Sequence, residues 1–138
     1  MEQFERRIMG KFTEKQAEKQ IRQGARKITQ SDLQKVLEKH SEILEIVSGD
    51  NPLRKFLEDV KLLFSLVNDY FKGTYREIPW WSIAAVVTAL LYVLSPVDLI
   101  PDPIPIIGYV DDALIVGACL AMIENDLQNY KEWKMKNA

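Results

Sequence analysis

Four aspartates, Asp98, Asp102, Asp111 and Asp112, crowd into residues 95–112. Pro96, Pro101, Pro103 and Pro105, four of the chain's six prolines, stand in the same stretch. If these prolines fold the segment back on itself, the carboxylates converge on a hard divalent cation such as Mg²⁺ or Ca²⁺. They would equally accept Lys or Arg from a protein partner or from the basic start of the chain. The spacing is not that of an EF-hand loop, so a cation site at Asp98, Asp102, Asp111 and Asp112 is a weak signal. Paired carboxylates also perform acid–base hydrolysis. No oxyanion-hole pattern or phosphate-binding glycine loop accompanies them, so a carboxylate- or metal-dependent hydrolase is the remotest reading. No catalytic residue and no cofactor are expected.

Each of these residues also has a purely structural use. Ser95 before Pro96, and Asp102 before Pro103, are N-cap and N1-proline pairs. Asp111 and Asp112 fall where the first turn of a following helix would favour negative charge. Gly108 supplies a turn. Elsewhere the chain offers little for catalysis. It has one cysteine, Cys119, and one histidine, His40, too few for a Cys/His zinc site or a paired nucleophile at this elbow. His40 reads as a core or edge residue of a helix.

The elements around the elbow read as helices. Residues 80–94 contain no charge, and neither do residues 113–123. Between Pro79 and Pro96 the first run gives about 16 helical residues, or about 24 Å. That is short of the about 20 residues that cross a bilayer. A helix uncharged on every side must be buried by protein or by lipid. Ser82 and Thr88 within it can return their hydroxyls to the backbone. Gly117, Ala118 and Ala121, with Ala84, Ala85 and Ala89, suit close helix packing.

Upstream, residues 3–28 place Phe4, Ile8, Phe12, Ala17, Ile21, Ala25 and Ile28 at helical spacing, with Gly10 and Gly24 weakening the helix by about 1 kcal/mol each. Ser31 and Gln34 form a capping-box pattern for a helix through Ser48, with Leu33, Val36, Leu37, His40, Leu44 and Val47 on one face. Asn51 and Pro52 open a helix over residues 53–72 with a wide apolar stripe, ended by Gly73. The last helix is expected to end near Tyr130, leaving a frayed or interfacial tail around Trp133. The fold class is therefore all-α: about five helices in a single domain over residues 1–138, bundled around a central apolar hairpin at 80–94 and 109–127.

Charge is polarised. Residues 1–28 carry eight Lys/Arg against four Glu, and residues 80–138 three Lys against seven acids. The overall net charge of −2 gives no general attraction to nucleic acid. The N-terminus lacks the apolar core of a signal peptide.

The pattern Asp69-x3-Gly73-x-Tyr75-x3-Pro79-Trp80, then Ala89-Leu-Leu-Tyr92, then Ser95-Pro-Val-Asp-Leu-Ile-Pro-Asp102 and Gly108-Tyr-Val-Asp-Asp112, resembles the YkvA-like family, a domain of unknown function. The resemblance covers residues 69–123 and leaves residues 1–68 as amphipathic helices of unrecognised type. Its signature positions here are Ser95, Pro96, Asp98, Pro101, Asp102, Pro105, Gly108, Asp111 and Asp112. Pro103 departs from the family pattern. The resemblance implies a helical hairpin and, for many members, association with a membrane, but no activity, substrate or cofactor. The expectation is thus a non-catalytic helical protein, peripheral to a membrane or inserted by its hairpin, on the cytoplasmic side, with lipid as its partner. The alternative is a soluble cytoplasmic bundle that binds a protein or a cation through the elbow. Oligomeric state is left open by the sequence.

Overall fold

A computed structural model describes residues 2–94 and 112–137, with side chains from residue 14 onward. The described residues form seven α-helices and one short 3-10 helix, and no strand. The α-helices are α1 (Glu2–Ala25), α2 (Gln30–Glu38), α3 (His40–Val47), α4 (Leu57–Lys72), α5 (Trp80–Leu94), α6 (Asp112–Met122) and α7 (Glu124–Lys136). The 3-10 helix, Pro52–Phe56, leads into α4.

The all-α bundle is as expected, but about five helices is too few. Two of the expected helices are broken at a single residue. Lys39, at φ −97° and ψ 15°, separates α2 from α3. Ile123, at φ −109° and ψ 18°, separates α6 from α7. Both sit in the bridge region, which turns the chain without ending its hydrogen-bonded run. Ile43 still donates to the Lys39 carbonyl at 2.9 Å, and Leu127 to the Ile123 carbonyl at 2.8 Å.

The break at Lys39 changes which residues face inward. Leu33, Val36 and Val47 are buried as the periodicity predicts, but after the bend Ile43 takes a core position and Leu44 is only partly buried. His40 is left exposed at the edge, its ring 4.3 Å from that of Phe64. The capping box also belongs two residues earlier than Ser31 and Gln34. Thr29 is the N-cap of α2, and its N–H donates to the Asp32 carboxylate at 2.8 Å.

Other signals hold. Asn51 accepts from the Leu53 N–H at 2.8 Å ahead of Pro52. Gly73 ends α4 at φ +81°, a left-handed conformation in which a side chain is strained. The Thr74 N–H then reaches back to the Asp69 carbonyl at 2.9 Å, closing the helix end.

The core is built on α5, which packs against α1, α2, α3, α4 and α6. Eleven of its fifteen residues are buried. This settles what covers the uncharged helix: protein does so along most of its length. No helix among the described residues is long and apolar enough to cross a membrane. A spanning hairpin therefore finds no support in the helices.

Candidate functional site

Of the elbow residues, Ser95, Pro96, Asp98, Pro101, Asp102, Pro105, Gly108 and Asp111 lie outside the described residues. Asp112 is described. It opens α6, half-buried, where its charge meets the positive end of the helix dipole. Among the described residues no group of three or more His, Cys, Asp or Glu could hold a metal ion.

The densest polar constellation the structure describes lies elsewhere, between α4 and α7. Its base is Asp69, in the last turns of α4. The Tyr130 hydroxyl donates to an Asp69 carboxylate oxygen at 2.5 Å and also lies 2.6 Å from the Ser65 hydroxyl. The Lys134 ammonium sits 3.5 Å from that Asp69 oxygen, bonds Ser65, and reaches the Tyr130 oxygen at 3.3 Å. Tyr130 and Lys134 are one helical turn apart on α7, and Ser65 and Asp69 one turn apart on α4. Two i,i+4 pairs therefore meet face to face.

An aromatic lid covers this group. The Tyr75 ring is 5.1 Å from that of Tyr130 and 4.9 Å from that of Trp133. Tyr75 and Tyr130 are buried and Trp133 is half-buried. One further link fastens α7 to α5: the Ser82 hydroxyl donates to Asp126 at 2.5 Å. The expected frayed tail is thus corrected. α7 continues to Lys136 because Tyr130, Trp133 and Lys134 each gain partners on the rest of the bundle.

A serine, a tyrosine and a lysine within bonding distance resemble the parts of a base-activated nucleophile. The electrostatics oppose that use. An amine can act as a general base only when it is unprotonated at working pH. Burial pulls the Lys134 amine down, but the hydrogen bond to Tyr130 and the negative charge of Asp69 outweigh it, and the net effect holds the ammonium above its ordinary value. Burial, reinforced by the bond to Asp69, pushes the Tyr130 phenol up, so it keeps its proton. Burial, with Glu77 and Asp126 nearby, does the same for Tyr75. With its amine and phenol held in their protonated forms, the cluster is a charged, hydrogen-bonded brace.

Two of the clefts among the described residues lie beside α4 and along α6. One of about 460 Å³ is lined by His40, Phe64, Lys61, Ser65 and Asn68 among others. Lys61 there pairs with Glu58 at 3.3 Å. The other, about 330 Å³, runs along α6 between Phe56, Gly117, Ala118, Ala121 and the acids Glu14 and Glu18. Cys119, behind this face, is fully buried, and burial pushes its thiol up to about 12. It is an inert thiol at neutral pH.

The sequence pointed to Asp69 and Tyr75 only through the family resemblance, and to Gly73 also as the end of its helix. Ser65, Tyr130, Lys134, Ser82 and Asp126 were not singled out as a site. Their signal is a spacing of four, Ser65 to Asp69 and Tyr130 to Lys134, in segments that otherwise read as ordinary helix.

Residues 82–118 match the family model described as "Protein of unknown function (DUF1232)". Over 83 residues the chain is 28% identical to the "Uncharacterized membrane protein YkvA" of Bacillus subtilis (strain 168), an alignment covering 60% of this chain and 78% of the relative. No solved structure matches the chain. The matched segment starts at Ser82, the residue bonded to Asp126, runs along α5 and through the elbow, and ends inside α6. Through this hairpin and its elbow the chain is similar to the YkvA-like family.

Proposed function

We propose that the protein is a non-catalytic helical bundle that works at a membrane surface, held there peripherally with its apolar hairpin kept inside protein. The observation that carries this reading is the burial of α5. Its fifteen residues span about 22 Å, short of the about 30 Å of hydrocarbon in a bilayer. Exposing them to lipid would require moving the helices that cover them, whose own apolar faces would then meet water at a cost of about 25 cal/mol for each Å². The membrane side of the reading is supported by the name of the Bacillus relative. It is also supported by the net charge of +4 over residues 1–28, which suits the anionic cytoplasmic leaflet.

Membrane flotation followed by successive salt and alkaline carbonate washes tests this. The expected result is co-flotation with membranes and release by one of the two washes. Retention through both would overturn the peripheral arrangement in favour of an inserted hairpin. Absence from the membrane fraction before any wash would overturn the membrane reading itself.

A further inference from the structure

The large apolar side chains that remain exposed among the described residues are few: Phe71 (38%), Trp80 (37%), Trp81 (40%) and Met135 (82%). The first three fall at one corner, where α4 passes through the Gly73 turn into α5. We propose that this corner, presenting Phe71, Trp80 and Trp81 beside Lys72 and Arg76, is the surface through which the bundle contacts the phosphate-bearing interface of an anionic lipid bilayer. The inference rests on the peripheral membrane reading above and gives that reading a place on the molecule.

The corner is ordered before any partner arrives. The Trp80 ring lies 6.1 Å from that of Tyr70. The Arg76 guanidinium stands 4.6 Å from the centre of the Tyr70 ring, and its Nε donates to the Tyr70 carbonyl at 2.7 Å. Tyr70 is itself buried, so Trp80 and Arg76 are both seated on a fixed ring. The left-handed Gly73 and the returning Thr74 N–H set the loop between them. Binding would therefore order little new structure, which favours affinity.

The residue chemistry selects lipid. An indole has an apolar body and one N–H donor, and the headgroup zone satisfies both ends where water satisfies only one. Two adjacent indoles, with an exposed phenyl ring in the last turn of the preceding helix, match a surface that is apolar below and polar above. Lys72 and Arg76 are exposed against one exposed acid, Glu77, leaving the open face net positive and suited to lipid phosphate. Asp126, half-buried, accepts from the Ser82 hydroxyl behind the exposed residues.

The test uses the full chain and vesicles of phosphatidylcholine and phosphatidylglycerol mixed in equal parts. A Trp133→Phe background leaves Trp80 and Trp81 as the emitting residues. The expected result is a blue-shifted emission that is quenched by brominated acyl chains, with partitioning weakened roughly tenfold in a Trp80→Ala, Trp81→Ala variant that keeps its helical circular dichroism. If that variant fails to fold, the quenching in the parent protein decides. Binding without quenching, or unchanged binding by the folded variant, overturns this corner and leaves the peripheral reading intact. No binding to the vesicles overturns both. An emission shift that follows protein concentration and ignores lipid also overturns the proposal and assigns the corner to a protein contact.

Discussion

The two arms of the hairpin carry nearly the same kind of sequence and meet different surroundings. α5 is uncharged, and α6 carries one charge, Asp112, at its first residue. Yet eleven of the fifteen residues of α5 are buried, whereas α6 buries three of its eleven, Ile115, Val116 and Cys119. Ala113, Leu114, Gly117, Ala118 and Ala121 of α6 border the groove that Phe56 also lines. Composition alone predicts two equivalent core helices. Position in the bundle makes one of them the core and the other a half-covered wall.

The largest expected effect comes from putting the same charge into both arms. Ala85 is fully buried in α5, whereas Ala121 of α6 is exposed. Ala85→Lys places an ammonium among apolar side chains with no partner, and should cost more than about 4 kcal/mol, enough to prevent folding. Ala121→Lys should change stability by less than about 0.5 kcal/mol. Urea denaturation of the two variants checks this. A folded Ala85→Lys protein would mean that the two arms are equally open and the comparison fails.

Alkaline titration probes the covered side of α6. The Cys119 thiol is held up at about 12 by burial, while in the unfolded chain it titrates near its ordinary value. A group whose folded pKa is raised contributes fully below its unfolded pKa and loses that contribution as pH rises. Stability should therefore fall from about pH 8.5 upward, by about 2 kcal/mol at pH 10 from this thiol alone. Tyr130, also raised, adds to the loss at higher pH. Cys119→Ala should flatten the first part of that decline, at the cost of the packing it removes. The same slope in wild type and variant would place Cys119 in contact with water.

What fastens the half-covered arm is α7, and Tyr130→Phe isolates that link. The substitution removes the hydroxyl shared with Asp69 and Ser65 while leaving the ring against Tyr75 and Trp133. The expected loss is about 1–2 kcal/mol. Amide exchange should quicken in α7 and α6 before α5. Uniform quickening would show that the brace supports the whole bundle and not one wall of it.

These contrasts explain what the sequence could reveal. The all-α class, α5 at 80–94, the Asn51–Pro52 start and the Gly73 stop were legible because each rests on local rules. The bends at Lys39 and Ile123 were not, because neither residue is Gly or Pro and the hydrogen-bonded run continues through both. The Asp69–Tyr130–Lys134 brace joins residues 61 positions or more apart, and periodicity carries no information at that range. Of the elbow, the described structure includes Asp112 alone among the four aspartates.

Two glycines sharpen the same comparison at the smallest scale. By helix propensity alone, Gly24→Ala and Gly117→Ala should each stabilise by about 1 kcal/mol. Their neighbours separate them. A Cβ on Gly24 would stand 2.4 Å from Thr88 Cγ2 on α5, and Thr88 is held in place by its bond to the Ala84 carbonyl at 2.7 Å. A β-branched side chain fixed in this way cannot swing aside cheaply. Overpacking there should cost about 1–3 kcal/mol and outweigh the gain, so Gly24→Ala lowers the melting temperature. On α6 a Cβ at Gly117 would meet only the end of the Phe56 ring at 3.5 Å, an ordinary contact. Gly117→Ala should keep its propensity gain and raise the melting temperature. Opposite signs for one substitution in helices that both touch α5 would follow from close packing on one side of the hairpin and open space on the other. Equal signs would mean that α1 sits no closer to α5 than the 3-10 helix sits to α6.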